Sequence, residues 1–479
     1  MKLWQELARW ANERPEHLAV LTPEHQLTYA QLHRRSYCLA NQLTELSGHR
    51  IAVHTNDPIE MAIAFYGIVR SGKNMVIVDP AWPSNLATSM VSRLRCDLSL
   101  TSWNSLSHLG RSAQSGNHES PLAETPVETA TDSSDTHGLL VICTSGSSSY
   151  PKPVLRTFAS WEQSLNCGAD ILGATPIAAT LCPGPISHGL GLYAMIESLH
   201  TGGTFLATGK WDPTGVRTLV EKTICTRIVT VPTILSKLLS LLGPELLSNL
   251  RTVVSGGEAL NQDTVRELYR VAPRVQCLEY FGSSEHSLIA YRERGLAQSA
   301  PPHFDGQLFP GVRAHIHEMD PQTGFGQLYV DSPFNSKGYD PSSETNISRC
   351  GSSICIGDRA RIEETGRIMI SRRDDQMLNL NGNNIHTGEV SAALEAVGLP
   401  NAIVQLVELD GTPTLVAYTV DPPKNPATLL AKLQEYLPQY KVPHQIIYLR
   451  AWPESFSGKL KTKDLNIQHL EIQRSDDLR

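Results

Sequence analysis

Apolar positions in the middle of the chain switch between two rhythms. Arg227 to Val231, Leu250 to Val254 and Val275 to Tyr280 are short runs rich in apolar and β-branched residues, and they read as strands. Between the last two, Val265, Leu268, Tyr269 and Ala272 fall at helical spacing, and Asn261 stands where a cap is needed. Pro232 sits where another helix can begin. Two of the strands open into small polar residues, Ser255-Gly256-Gly257-Glu258 and Gly282-Ser283-Ser284-Glu285. Strand, loop, helix, strand, loop is the wiring of an α/β sheet. Such sheets gather ligands at the carboxyl ends of their strands.

The alternation extends to both sides. Leu27 to Leu32 leads into Cys38 to Leu43 as a short strand entering an amphipathic helix. Ala62 to Gly72 predicts a helix ended by its glycine, and Asn74 to Val78 a strand broken at Asp79-Pro80. Residues 110–137 are rich in Ser, Thr, Glu, Asp and Gly without periodicity, and predict a surface loop. Leu139 to Cys143 is again strand-like. The character changes from about residue 375. Glu389 to Val397 looks helical, and Ala402 to Glu408 and Thr414 to Val420 flank Asp410-Gly411 as a hairpin. Asn425-Pro426 caps and starts a helix to Leu437, and Gln445 to Leu449 is a further strand. The expected architecture is a large α/β N-terminal domain over 1–372 and a small α+β C-terminal domain over 373–479.

At 479 residues the chain exceeds what one compact core usually holds, which agrees with two domains. A hydrophobic share of 41% with 19% charged residues describes a soluble globular protein. The formal net charge of -7, with no long basic run, argues against nucleic acid as a partner. Nine scattered Cys without a C-x-x-C pair imply reduced thiols and a cytoplasmic setting, and no His or Cys cluster beside Cys350 and Cys355 suggests a metal site. The polar start Met1-Lys2-Leu3-Trp4 lacks the apolar core of a secretory signal. No stretch approaches the roughly 18 apolar residues of a membrane span.

The richest chemistry lies after Leu139 to Cys143. Thr144-Ser145-Gly146-Ser147-Ser148-Ser149-Tyr150-Pro151-Lys152 is a loop of small hydroxyl residues around one glycine, closed by a lysine. Such a loop can turn N–H groups and hydroxyls toward an anion, and the lysine adds a point charge. ATP phosphates suit it, although the Gly-Lys-Ser/Thr ending of a Walker A loop is absent. A Ser-rich surface loop is the ordinary alternative.

Thr144 to Lys152 resembles the phosphate-binding signature of the adenylate-forming superfamily, which contains acyl- and aryl-CoA ligases, adenylation domains of nonribosomal peptide synthetases, and firefly luciferase. Ser149 and Pro153 stand where that family usually has Gly, and both stiffen the backbone. Further elements follow in order. Ser255 to Leu260 resembles the element lining the adenine and acyl pocket, which assigns Gly257, Glu258 and Ala259 to the nucleotide. Tyr280-Phe281-Gly282-Ser283-Ser284-Glu285 resembles the aromatic-Gly-x-Thr-Glu signature, with Ser284 keeping the hydroxyl of Thr. The resemblance implies that Glu279, Tyr280, Phe281, Gly282 and Ser283 line the adenine, that Ser284 reaches the α-phosphate and that Glu285 binds Mg²⁺. A carboxylate is the hard ligand that Mg²⁺ takes beside phosphates. Ile354 to Asp358 resembles the Thr-Gly-Asp element, so that Asp358 accepts both ribose hydroxyls. Arg372-Arg373-Asp374-Asp375 resembles the element between the domains, with Arg372 on ribose and Asp374 at a hinge. Pro453 to Lys459 resembles the element of the catalytic lysine, here Lys459, whose ammonium stabilises charge in the transition state. Taken alone, these residues also read as a solvated Glu285, a tight Gly256-Gly257 turn, a polar linker and a surface Lys459. The resemblance gains force from five elements in the family's order across almost the whole chain.

The substrate is read from Pro183-Gly184-Pro185-Ile186-Ser187-His188-Gly189. Amino-acid-activating members of the family usually carry here an Asp for the substrate ammonium. This chain has His188 in a setting similar to acyl- and aryl-CoA ligases, which assigns His188 to catalysis. A buried ammonium without a carboxylate is costly, so the expected substrate is a carboxylic acid without an α-amine. A packed loop histidine is the other reading of His188. Against that substrate, Asp79-Pro80-Ala81-Trp82-Pro83 resembles an element common in peptide-synthetase adenylation domains. The expected cofactors are ATP and Mg²⁺. The thiol acceptor is CoA or the phosphopantetheine of a separate acyl or peptidyl carrier protein, and a nucleotide-binding pseudoenzyme is the contrasting class.

Overall fold

The structure, a computed structural model, describes residues 3–82, 84–100, 138–144, 151–297, 303–343, 346–371, 377–380, 383–409, 412–437 and 441–452. The chain divides into two compact units. One comprises Met1–Ala297, Leu308–Arg313 and Val330–Ile354; the other comprises Gln298–Gln307, Ala314–Tyr329 and Cys355–Arg479.

The strands of the first unit are β1 (Leu18–Leu21), β2 (Gln26–Thr28), β3 (Arg50–Val53), β4 (Asn74–Ile77), β5 (Leu98–Leu100), β6 (Leu139–Thr144), β7 (Lys152–Thr157), β8 (Ala179–Cys182), β9 (Thr204–Ala207), β10 (Arg227–Thr230), β11 (Thr252–Gly256), β12 (Gln276–Ser283) and β13 (Ser287–Glu293). One sheet runs β13-β12-β11-β10-β8-β9-β1-β2, parallel from β12 to β1, with β13 and β2 antiparallel beside it. Gly338–Tyr339, β7, β6, β4, β3 and β5 form another sheet, parallel from β6 to β5 and antiparallel at β7 and Gly338–Tyr339. Every residue of β9, β10 and β11 is buried, as central parallel strands covered on both faces require.

The helices follow their caps. Asn261 accepts the Thr264 N–H at 2.8 Å and starts Gln262–Val271, whose Val265 and Leu268 pack with Ile228 and Val253 in one apolar cluster. Pro232 opens Pro232–Leu246. The helix expected from Ala62 begins earlier, at Pro58, because the Asp57 carboxylate caps Ile59 and Glu60 and proline fits the first turn. β12 runs on through Gly282 and Ser283, where the sequence predicts a loop, because β13 pairs with it as far as Ser283↔Ser287.

In the second unit, Phe304–Leu308, Ile368–Ser371, Arg359–Ile362 and Gly326–Asp331 pair in that order, with antiparallel registers between neighbours. Met377–Leu380 and Asn383–His386 form a hairpin. Ile403–Leu409, Thr412–Thr419 and Gln445–Tyr448 form a three-stranded sheet whose core takes Val390 and Leu394 from helix Thr387–Ala396 and Leu429 and Leu433 from helix Pro426–Leu433. The last helix stops four residues short of the expected Leu437, because the Gln434 N–H turns back to the Lys432 carbonyl. Among the described residues no helix is long and apolar enough to cross a membrane.

A charge pair lies inside the first unit. Arg227 of β10 meets Glu197 of helix Gly189–His200 at 2.5 Å, both 1% exposed, and also donates to the Leu172 carbonyl. Burial pushes the Glu197 carboxyl above its usual range even beside that guanidinium. Glu197→Leu leaves Arg227 buried and unpaired, and is expected to cost about 3–5 kcal/mol in urea unfolding. Adding Arg227→Met should recover most of that loss, whereas two additive losses would show that the pair is not a unit.

Candidate active site

Four parallel strands, β8, β10, β11 and β12, end on one side of their sheet, and the turns after them carry several of the expected site residues. After β11, Gly256 packs so closely on the Tyr280 ring that a Cβ there would lie 2.4 Å from it. Gly257 follows at φ +82°, and Glu258 accepts the Thr233 hydroxyl at 2.7 Å with its side chain exposed, as is Ala259. After β12 the chain makes a tight hairpin, in which Gly282 faces the Ser287 carbonyl where a Cβ would lie 2.2 Å away. Tyr280, Phe281, Ser283 and Ser284 are half-buried along this strand and turn.

The hairpin tip holds the expected metal ligand. Glu285 is 3% exposed; Tyr339 donates its hydroxyl to Oε1 at 2.9 Å, and the Ser336 N–H donates to the Glu285 carbonyl at 2.7 Å. A carboxylate anchored through one oxygen at a sheet's carboxyl end suits an ion that arrives with phosphates. Arg156 of β7, 1% exposed, donates to the carbonyls of Ser284 at 2.6 Å and of Phe334. Ser283 Oγ lies 3.1 Å from Nδ1 of His286, whose Nε2 lies 3.1 Å from the Ile354 carbonyl.

The smaller sheet brings the expected phosphate loop. Thr144 and Lys152 pair across β6 and β7, and the Thr144 hydroxyl donates to the Lys152 carbonyl at 3.4 Å. The Lys152 ammonium lies 5.8 Å from the centre of the Tyr339 ring, the ring whose hydroxyl holds Glu285. Pro153 sits within β7 and accepts the Asp340 N–H at 2.8 Å.

His188 is the N-cap residue of helix Gly189–His200 but makes no side-chain capping bond. Its Nε2 instead meets Asp79 Oδ2 at 2.8 Å, with the imidazole side chain 44% exposed. Asp79 Oδ1 accepts from the Ser187 hydroxyl at 3.3 Å and the Ala81 N–H at 3.0 Å. Burial pushes the Asp79 carboxyl up. The bond to His188, the Ala81 N–H, the His188 charge and the Ser187 hydroxyl together outweigh it and leave the carboxyl below its usual range. Ser284 Oγ closes the same corner, 3.3 Å from where a Cβ on Gly189 would stand.

Residues 7–340 match the family described as AMP-binding enzyme. The chain belongs to that family. The adenylate-forming superfamily, which its motifs resemble, is thereby its superfamily. Among similar proteins is "Putative long chain fatty acid-CoA ligase VraA" of Staphylococcus epidermidis, 24% identical over 469 residues, 97% of this chain and 98% of the relative. Among solved structures, ATP-bound MatB from Rhodopseudomonas palustris shares 22% identity at a TM-score of 0.78, covering 97% of this chain and 98% of that one. O-succinylbenzoate Coenzyme A Synthetase (MenE) from Bacillus subtilis, in complex with ATP and magnesium ion, shares 20% at 0.75, covering 97% and 99%. The likeness to the solved structures is one of fold, and it is the mixed α/β fold of adenylate-forming enzymes.

Within this AMP-binding enzyme, the expected site residues fall into four groups. The first unit brings Thr144 and Lys152 to one hairpin, and brings Ser284 and Glu285 into a network with Arg156 and Tyr339. Glu279 belongs to the interior instead. It is 2% exposed, and its carboxylate takes Arg292 at 2.8 Å, Arg294 at 2.6 Å and the Leu260 N–H at 3.1 Å. The side chain expected at the nucleotide is thus committed to two guanidinium groups. Asp358 is buried in the second unit, where its carbonyl accepts the Leu328 N–H at 2.8 Å. Ser145, Gly146, Ser147, Ser148, Arg372, Asp374 and Lys459 lie outside the described residues.

Two residues that contact the expected site residues escaped sequence reasoning. Asp79 was visible only as part of an Asp-Pro-x-aromatic-Pro element, and its pairing with His188 spans 109 positions. Arg156 carried one signal: a charge directly after the apolar Val154 and Leu155 of a strand. The Asp79 arrangement makes a pH prediction. A carboxyl held below its usual value stabilises the fold in full above about pH 3.9, and that share is lost as pH falls through the native value. Wild type should exceed Asp79→Asn by about 1 kcal/mol at neutral pH in urea unfolding, the gap closing below about pH 4. A gap that persists at pH 2 would refute the carboxylate's role.

Proposed function

We propose that this AMP-binding enzyme is an ATP-dependent, AMP-forming acid–CoA ligase acting on a carboxylic acid without an α-amine. Asp79 is the observation that carries the substrate class. It is the acidic group at His188, and both its oxygens are engaged, Oδ2 by His188 and Oδ1 by Ser187 and Ala81. Among the described residues, a substrate ammonium brought to this corner would find the Asp79 carboxylate already engaged, and burying the ammonium unpaired is penalised. The named relative, a putative fatty acid–CoA ligase, agrees with that reading.

The reaction has two halves. A carboxylate oxygen of the acid bonds to the α-phosphorus of ATP, the bond to the β-phosphate oxygen breaks, and pyrophosphate leaves. A thiolate then bonds to the acyl carbon, and AMP leaves. Thr144, Lys152 and the loop between them would cradle the phosphates, and Ser284 would donate to the α-phosphate. Glu285 would hold the Mg²⁺ of MgATP, which supplies neutralisation of phosphate charge. Asp358 and Arg372 are assigned to ribose, and Gly257, Glu258, Ala259, Tyr280, Phe281, Gly282 and Ser283 to the adenine side. Lys459 is assigned to the charge of the first half-reaction, carried on a C-terminal domain over 373–479 that turns about Asp374. CoA is the acceptor in this reading. Phosphopantetheine on a separate carrier protein presents the same thiol, and Asp79-Pro80-Ala81-Trp82-Pro83 is the feature that favours it.

Two measurements test this function. In pyrophosphate release, fatty or aryl acids should exceed α-amino acids at least about tenfold in kcat/KM, about 1.4 kcal/mol of discrimination. A proteinogenic amino acid as best substrate would move the enzyme to carrier loading. Lys459→Ala should lower adenylate formation by about 10²-fold or more while largely sparing thioester formation from supplied acyl-AMP. Equal losses in both half-reactions would remove Lys459 from its assigned role.

A further inference from the structure

Arg156 is a buried guanidinium that none of the expected motifs accounts for. Both of its hydrogen bonds go to backbone carbonyls, those of Ser284 and Phe334. Its Nε is buried without a partner among the described residues. Burial lowers its pKa to about 10, with the Tyr193 and Glu285 charges opposing the shift, so it remains a cation at neutral pH. Taking a guanidinium out of water costs several kcal/mol unless an anion or a full set of acceptors compensates. Two carbonyls are a partial set, so a purely structural account is weak at this position.

The two carbonyls it joins explain the placement. Ser284 O lies between the hydroxyl assigned to the α-phosphate and the Glu285 carboxylate. Phe334 O begins the segment that supplies the Ser336 N–H and the Tyr339 hydroxyl to Glu285. One side chain therefore fixes the Glu285 turn and the segment that grips it. Arg156 also follows Lys152 on β7, so the strand leaving the phosphate loop sets the metal carboxylate. We propose that Arg156 is a positioning residue for MgATP, which aims Ser284 and Glu285 by holding the Ser284 and Phe334 carbonyls. This rests on the reading of the Glu285 turn as the MgATP site. Arg156 acts through these groups and does not touch the substrate.

The test is calorimetric titration of MgATP into wild type, Arg156→Lys and Arg156→Met, with Mg²⁺ half-saturation measured alongside in pyrophosphate release. Groups that orient a metal ligand are worth about 10–100-fold in metal affinity, and Arg156→Met should weaken MgATP binding and raise the Mg²⁺ requirement in that range. Arg156→Lys, which keeps the charge but cannot fork to two carbonyls, should fall between. The KM for the acid should stay within about twofold, because the arginine acts on the nucleotide side alone. Unchanged MgATP affinity and Mg²⁺ half-saturation in a folded variant, or an equal rise in the KM of the acid, would overturn the proposal. Should Arg156→Met fail to fold, Arg156→Lys and Tyr339→Phe decide. Tyr339→Phe removes the hydroxyl on Glu285 while leaving Arg156 and its carbonyl partners in place, and the same Mg²⁺ shift is expected. A wild type that does not bind MgATP would overturn the site reading itself, an outcome distinct from equal binding by wild type and variants.

Discussion

The parallel direction of β12, β11, β10, β8, β9 and β1 is the constraint on which the first unit depends. Parallel neighbours cannot be joined by tight turns, so a connection from one of these strands to another must cross back to the opposite end of the sheet. All carboxyl ends then open on one side. The sequence puts glycines there: Gly256 closing β11 and Gly257 after it, Gly282 near the end of β12, and Gly184 after β8. Gly256 lets the Tyr280 ring lie against the backbone, and Gly282 lets the β12–β13 hairpin close. Backbone can approach a ligand at these ends because side chains do not intervene.

Around those ends the unit buries charge, in three different ways. Arg227 and Glu197 neutralise one another inside the larger sheet's packing. Glu279 takes two arginines and a backbone N–H. Among the described residues, Arg156 donates to carbonyls alone. The first two arrangements are self-contained, which is why both members of each can lie deep in the fold. The third leaves a buried cation with the Glu285 carboxylate among the charges that act on it.

Periodicity made the architecture legible. The central strands were readable because they are buried throughout, and Gln262–Val271 because its apolar face repeats at helical spacing and Asn261 caps it. Boundaries read less well. Pro58–Ser71 begins where a cap and a proline allow, not where the apolar run begins. The extension of β12 to Ser283 depends on a partner strand, and a Gly-Ser-Ser run carries no sign of one. Within the expected site, the motifs pointed to Ser284 and Glu285, which lie beside Arg156 and Tyr339, and took Glu279 by adjacency alone. Along β12 adjacent side chains point to opposite faces, so neighbours in a motif meet different surroundings. Asp79 and Arg156 were illegible as site residues because their partners lie more than a hundred positions away.

That separation bears on how the protein is made. Arg156 bonds to Ser284 across 128 positions and to Phe334 across 178, and Trp10 reaches the His200 carbonyl across 190. Contacts of such span close slowly, since the loop entropy precedes the reward. The segment that grips Glu285 belongs to Val330–Ile354, which returns to the first unit after an excursion into the second. A chain emerging at about 5–20 residues per second therefore holds the Arg156 cation without its carbonyls for several seconds after β7 has left the ribosome. Both sheets can assemble in part during that interval, but the Glu285 turn stays unfinished until Tyr339 has been added. Nascent fragments that stop short of that residue lack the hydroxyl that Glu285 accepts, and Arg156 meets its second carbonyl only once Phe334 has been added.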